Sequence, residues 1–328
     1  MHALHDMSDT NNRLNTTNTA IDAVHVMQLT RQPTLKIDKN MQHVPTKIRS
    51  VGSAMNGIKH WLDIKVGRQA FLQATVAATG LTFKVPSNTI FSWYLSKYGT
   101  YEANNTNFLI DLFAGSQDGI FVDVGANFGW YTCLLSKFAG ANGQVIAIEP
   151  EADNLALLTS NIFSNQLRNV QVLPIAVSFE NGTLPIHKAP AGNPGMHSFV
   201  TMPHTPNEHN DSHVTVRTLD GVLKDITGPI KLMKVDIEGF EVNALRGAQE
   251  TLARCNNLLI EYSPGFLLAG GQQPVDFFNC ISNAGLDINT IESGKLCPLN
   301  GDSIASLIAV QGRHYCWQQD FFCTRSGQ

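Results

Sequence analysis

The chain has 328 residues, of which 43% are hydrophobic and 15% charged, and its formal net charge is -4. That balance excludes a chain too polar to bury a core, and it supplies no sequence-wide basic field to hold a nucleic acid. No apolar run approaches the roughly 20 residues that span a bilayer, and the start lacks the basic-then-apolar pattern of a secretory leader, so a cytoplasmic protein without a membrane span is expected.

Taken from the start, residues 1–45 are rich in Asn, Thr, His and Gln. Such a tract cannot bury enough apolar surface to offset its ordering entropy and reads as a disordered polar arm. Residues 46–118 read as an α/β cap with too few apolar residues for a core of its own. It holds a helical stretch over Trp61 to Ala78, a strand Leu81–Val85 closed by Pro86, and helical patterns around Phe91 and Phe108. From residue 119 to 328 the pattern becomes regular. Strand-like runs at 120–124, 144–148, 170–173, 231–235 and 257–261 alternate with helix-like stretches at 130–139, 151–165, 240–254 and 274–284. Alternation of that kind predicts a parallel sheet with helices on both faces. The run from Trp317 to Cys323 reads as a last strand that pairs with 287–291 as an antiparallel edge. The six cysteines, Cys133, Cys255, Cys280, Cys297, Cys316 and Cys323, form no Cys-x-x-Cys pair and read as free thiols.

The most informative stretch is Phe121-Val-Asp-Val-Gly-Ala-Asn-Phe-Gly-Trp-Tyr131. An apolar strand reaching Asp123 and followed at once by Gly125 and Gly129 is the strand, turn and helix start that lets a backbone approach a ligand. The spacing is Gly-x-x-x-Gly, whereas a dinucleotide fingerprint needs a third glycine, and no Gly-Lys-Ser/Thr of a P-loop occurs. A nucleoside without phosphates is therefore favoured. A second buried run, Val145-Ile-Ala-Ile, ends in Glu149-Pro150, roughly 20 to 30 residues beyond the glycines, where a carboxylate accepts from ribose hydroxyls.

With the later block Lys234-Val-Asp-Ile-Glu-Gly-Phe-Glu241 and its sequel Leu245-Arg-Gly-Ala248 in view, the chain resembles the FkbM-type S-adenosylmethionine-dependent methyltransferases. That family carries a Val-Asp-Val-Gly-Ala-Asn-x-Gly loop, a Glu-Pro and a Lys-x-Asp-x-Glu-Gly-x-Glu block in this order. The resemblance runs from about Leu81 to Arg325. It implies a class I methyltransferase fold, Rossmann-like, with a seven-stranded mostly parallel sheet and an antiparallel last strand. It also implies S-adenosylmethionine as cofactor and methylation of a hydroxyl oxygen on a sugar, glycan or other hydroxylated small molecule. The donor would lie over Asp123, Gly125 and Gly129, with Asn127 on its polar end, Tyr131 and Glu102 of Tyr98-Gly-Thr-Tyr-Glu102 close by, and Glu149-Pro150 at the ribose. The adenine would rest near Ala176, and Asp236 would face the donor from the fourth strand. No nucleic acid is expected as partner, and self-association into a homo-oligomer stays open.

Asp236 and Glu238 leave a strand two residues apart and so point to one side if strand geometry persists. An alcohol hardly ionises near neutral pH, so a carboxylate that takes its proton is worth ~10²–10⁴-fold, and these two are the candidate bases. They also read as an acidic helix start. Glu261, ending Leu258-Leu-Ile-Glu, faces the same crevice as a substrate contact or a strand cap. His197, His204, His209 and His213 share a loop with Asp211, but their spacing matches no zinc pattern, so no metal is expected; His197 is an alternative substrate-side base. Two other readings stand beside the methyltransferase: a nicotinamide-dependent oxidoreductase, which the missing third glycine opposes, and a non-catalytic nucleoside-binding protein.

Overall fold

A computed structural model describes residues 70–115, 118–186, 212–309 and 317–327. The expected arm at 1–45 and the loop from His197 to Asp211 lie outside them. The description begins with a hairpin, β1 (Phe71–Thr75) against β2 (Thr82–Pro86). This corrects the helix expected up to Ala78. Leu72 and Ala74 are partly buried while Phe71, Gln73 and Thr75 are exposed, a period of two that suits a strand and not a helix. Helix α1 (Ile90–Tyr98) follows, capped by Thr89 and closed by Gly99 at φ 69°, then α2 (Ala103–Leu112).

The alternating part proceeds through β3 (Ile120–Val124), α3 (Trp130–Ala139), β4 (Gln144–Ile148), α4 (Ala152–Ser164) and β5 (Val170–Leu173). The side chain of Glu151 starts α4 by accepting from the N–H groups of Asp153 and Asn154 at 2.7 and 2.9 Å. The next strands, β6 (Ala176–Val177), β7 (Gly182–Ile186) and β8 (Ser212–Arg217), form a separate three-stranded sheet that the sequence reading lacked. After α5 (Leu219–Leu223) comes β9 (Ile230–Val235). The helix expected over 240–254 is two, α6 (Glu241–Arg246) and α7 (Gln249–Ala253). The break falls at Gly247, where a Cβ would stand 2.1 Å from the carbonyl oxygen of Ser178. The chain ends with β10 (Asn257–Tyr262), α8 (Pro264–Ala269), α9 (Pro274–Asn283), β11 (Leu286–Glu292), β12 (Lys295–Pro298), α10 (Gly301–Ala309) and β13 (Gln319–Arg325).

The main sheet has eight strands in the order β12-β11-β13-β10-β9-β3-β4-β5. Strands β10, β9, β3, β4 and β5 pair in parallel, and β13 runs antiparallel between β10 and β11. The architecture is thus the expected class I methyltransferase-like one, with one correction. There are eight strands, because the turn at Ser293–Gly294 folds Lys295–Pro298 back on β11. The last strand pairs antiparallel with β11, as expected, and with β11 and β12 makes the antiparallel edge of the sheet.

Alternation along the strands divides the core. Val122, Val124, Met233, Val235, Leu258 and Ile260 face one side, while Phe121, Val145, Leu232, Leu259 and Phe322 face the other. Phe83, Val85, Phe91 and Leu95 of the amino-terminal segment belong to that second cluster, so they share its core. Asn161 of α4 and Asn165, which caps its end, fasten β2 in place. Asn161 Oδ1 accepts from Lys84 N and Asn165 Oδ1 from Thr82 N, both at 2.8 Å, and both amides donate back to the carbonyls of the same residues. Chain order reverses between β3 and β9, since β4 and β5 lie to one side and β10 to the other. The crevice at the carboxyl ends of these strands is the natural ligand position.

Candidate active site

On the β3–β4 side the backbone turns sharply. Gly125 has φ 81°, and its N–H donates to Ile148 O at 2.9 Å. A Cβ there would lie 1.9 Å from the carbonyl oxygen of Asp236, so only glycine lets the two loops meet. Gly129 has φ 92°, and a Cβ would meet Leu158 at 2.7 Å. Asn127, also left-handed at φ 51°, donates its N–H to Glu149 Oε2 at 2.8 Å. Glu151 N donates to Glu149 Oε1 at 2.9 Å. Glu149 is 5% exposed, and burial pushes its carboxyl up to about 7 against the pull of these N–H groups. Its expected ribose role therefore competes with a loop that already holds both oxygens.

Asp123 lies inside β3, which runs on to Val124, and does not end it. It is buried and accepts from Thr132 Oγ1 at 2.6 Å, and desolvation raises its pKa. Tyr131 donates its hydroxyl to Glu102 Oε2, and Glu102 is itself left-handed at φ 43°. Asn105 donates to Asp320 Oδ2 at 2.6 Å and to Glu102 at 3.4 Å. Pro150 is half-buried, and Ala176 packs among Ile186, Val214 and Val216 of the small sheet.

On the β9–β10 side, carboxylates gather. Strand geometry ends at Val235, and Glu238 has φ 51°, so the same-side argument for Asp236 and Glu238 does not apply. The loop brings them together nonetheless: one oxygen each from Asp236, Glu238 and Glu261 lie within 4.8 Å of one another. Lys234, 5% exposed, places its Nζ 2.7 Å from Asp236 Oδ2 and 4.9 Å from the Tyr131 ring centre. Burial works against that ammonium, but Asp236, Glu102 and Asp123 outweigh it and keep it charged. Burial, and then the charge of Asp236, push Glu238 and Glu261 well above the usual carboxylate range. Glu241 is fully buried. Its Oε1 accepts from the N–H groups of Ile237 and Gly239 at 3.1 Å, so it caps the loop, and burial raises it to about 7. Two residues absent from the sequence reading complete the cluster. Gln318 donates to both Glu238 and Glu261 at 3.2 Å, and Asp320, opposite Glu261 across the strand pair, is raised by burial to about 7. Only the β13 pairing with β10 brings them here, and no local motif announces it.

Among proteins of known sequence, residues 123–280 match the methyltransferase FkbM domain. The chain is 27% identical over 191 residues to the hexuronic acid methyltransferase AglP of Haloferax volcanii, covering 57% of this chain and 68% of that protein. Among solved structures, it is 17% identical to the methyltransferase FkbM of Methylobacillus flagellatus, with a TM-score of 0.40 over 64% of this chain; it spans 44% of that chain's length. It is 9% identical to an S-adenosylmethionine-dependent O-methyltransferase of Thermotoga maritima, with a TM-score of 0.38, covering 81% of this chain and 82% of that one. The cofactor of such a domain is S-adenosylmethionine, and the crevice suits it. Asp123 Oδ1 and Asn127 Oδ1 are buried acceptors without a partner among the described residues, and a ligand carrying an ammonium beside a nucleoside offers the donors they lack.

Proposed function

We propose, from the premise that residues 123–280 form a methyltransferase FkbM domain, that this protein methylates a hydroxyl oxygen on a sugar or glycan. When bound, S-adenosylmethionine supplies an activated methyl group. Gly125 and Gly129 admit it to the backbone, and Asn127 and Asp123 offer acceptors to its ammonium. Glu149 anchors the loop and presents its remaining lone pairs to the ribose. The chain's chemical task is then to hold the acceptor hydroxyl and take its proton at a carboxylate oxygen of Asp236 or Glu238, with Glu261 beside them.

The observation that carries this reading is the meeting of Asp236, Glu238 and Glu261 at the loop that touches Gly125. Carboxylates accept hydrogen bonds from vicinal hydroxyls, and a proton acceptor is what an unactivated alcohol needs. Their sign also selects among sugars. A cluster of acids with Lys234 as its buried cation opposes an anionic acceptor, so the acceptor is a neutral sugar in preference to a hexuronic acid such as AglP's name specifies. Mass spectrometry of reactions with S-adenosylmethionine and paired neutral and glucuronate-bearing oligosaccharides tests this. A methylated neutral product supports the proposal, and methylation confined to the glucuronate arm overturns the charge argument. Donor turnover with no sugar methylated would sink the substrate class.

A further inference from the structure

Gln318 stands just ahead of β13, exposed to solvent, at a place no motif marks. Its single Nε2 lies 3.2 Å from Glu238 Oε2 and 3.2 Å from Glu261 Oε2, so the two protons of one amide go to two carboxylates, one from the loop after β9 and one from β10. The orientation follows from chemistry, since the amide oxygen turned toward either acid would add repulsion. Ser263 Oγ donates to the same Glu261 oxygen at 2.9 Å, which fixes that side chain from β10's own end. Glu238 sits in a left-handed loop, where a side chain is less constrained by regular backbone than on a strand.

We propose that Gln318 is a positioning residue of the acceptor site: it clamps Glu238 and Glu261 into one proton-accepting pair and holds them open to the crevice. The clamp is needed because the surroundings oppose two charges. Asp236 from the β9 loop, Glu241 from α6 and Asp320 from β13 all add negative charge, and Lys234 on β9, which is bound to Asp236, opposes them. A neutral double donor favours the ionised form of its partners without committing a cation to the site, and for Glu238 this bond works to lower the proton affinity. Without it the pair should hold a proton at a pH where the intact protein has released it. The kinetic consequence rests on the methyltransferase reading above; the clamp itself does not.

The test is carbon-13 NMR titration of protein labelled at glutamate carboxyl carbons, with Glu238 and Glu261 assigned by Glu238→Gln and Glu261→Gln. Gln318→Met keeps the bulk and Gln318→Ala removes it; calorimetric titration with S-adenosylhomocysteine shows that each variant is folded. In both variants the Glu238 midpoint should move up by about one pH unit, roughly tenfold in proton affinity, as expected for a lost bond to a charged group. Donor affinity should not change. In transfer assays the acidic limb of kcat should move up with it, while KM for the donor stays. Unchanged glutamate titration in a folded Gln318→Met variant overturns the clamp whether or not transfer is seen. A clamp confirmed by NMR in a protein that methylates no sugar would leave the clamp standing and the proposed acceptor fallen.

Discussion

At the β3–β4 side of the crevice each acid has donors of its own: Glu149 takes N–H groups from Asn127 and Glu151, and Asp123 takes the Thr132 hydroxyl. At the β9–β10 side Asp236, Glu238 and Glu261 face one another, with Lys234, Gln318 and Ser263 among their donors. The first arrangement uses charge to fix a loop, and such acids lose their value only if the loop moves. The second crowds three carboxylates within 4.8 Å of one another around one ammonium, and burial with mutual repulsion raises the proton affinity of Glu238 and Glu261. Sequence motifs mark both halves with the same residue types; what separates them is that Glu149 is held by backbone N–H groups whereas Asp236, Glu238 and Glu261 lie against one another.

The sharpest way to break this comparison is to remove charge from the second half alone. Asp236→Asn and Glu238→Gln keep shape and most hydrogen bonding but cannot accept a proton. The one that carries the base role should lower kcat by ~10²–10⁴ while donor affinity, read by calorimetry, changes little. Glu261→Gln tests the other member of the pair that Gln318 holds. Chelator should leave the rate intact. Loss of activity with chelator and its return with a divalent ion would make the three carboxylates ligands and end the contrast drawn here.

Most of the parallel half was legible because a buried strand writes its own pattern. Val145-Ile-Ala-Ile is apolar throughout and ends at a Glu-Pro, and the observed strand, Gln144–Ile148, has the expected bounds. Of the amino-terminal hairpin, β2 was legible as Leu81–Val85, whereas β1, expected as helix, was not. The hairpin's stabilising contacts are side-chain amides of Asn161 and Asn165 reaching β2 across 77 and 83 residues of sequence, and its core is shared with β3 and α3. Gly125, Asp236 and Glu238 could be placed from motifs, whereas Gln318 and Asp320 could not. Their position depends on β13 being inserted beside β10, a pairing set by tertiary contacts and not by any local spacing.

The next largest effect belongs to the joint between the halves. Gly125→Ala puts a methyl 1.9 Å from the Asp236 carbonyl oxygen and imposes left-handed backbone on alanine. Overpacking costs ~1–3 kcal/mol and the backbone about 1–2 kcal/mol, so melting should fall by several degrees, and both donor binding and transfer should suffer together. An unaltered melt would mean that the two loops separate freely, and the halves could then no longer be treated as one crevice. Within the first half, Glu149→Ala removes the acceptor of two loop N–H groups and the candidate ribose contact. At about 1.5–3 kcal/mol per bond to a charged group before water compensates, affinity for S-adenosylhomocysteine should drop at least about tenfold with kcat at saturation nearly kept. A drop in kcat of the size seen for Asp236 or Glu238 would erase the distinction between scaffold and chemistry.

The smallest effect is in stability against pH, and it reaches both halves. Glu149, Glu241 and Asp320 are each raised to about 7, from 4.5, 4.5 and 3.8, with burial as the leading cause. The folded protein therefore binds these protons more tightly than the unfolded chain does. Their contribution is complete below the unfolded values and is lost as pH climbs through about 7, so the ligand-free protein should melt higher near pH 5 than near pH 8. Differential scanning calorimetry across that window reads the trend. Glu149→Gln should flatten only the share of the first half and leave the rest of the slope in place, since Glu241 and Asp320 remain. If instead the slope disappears entirely with Glu149→Gln, Glu241 and Asp320 bind their protons no more tightly in the fold than in the unfolded chain, and burial does not set the proton affinity of the second half.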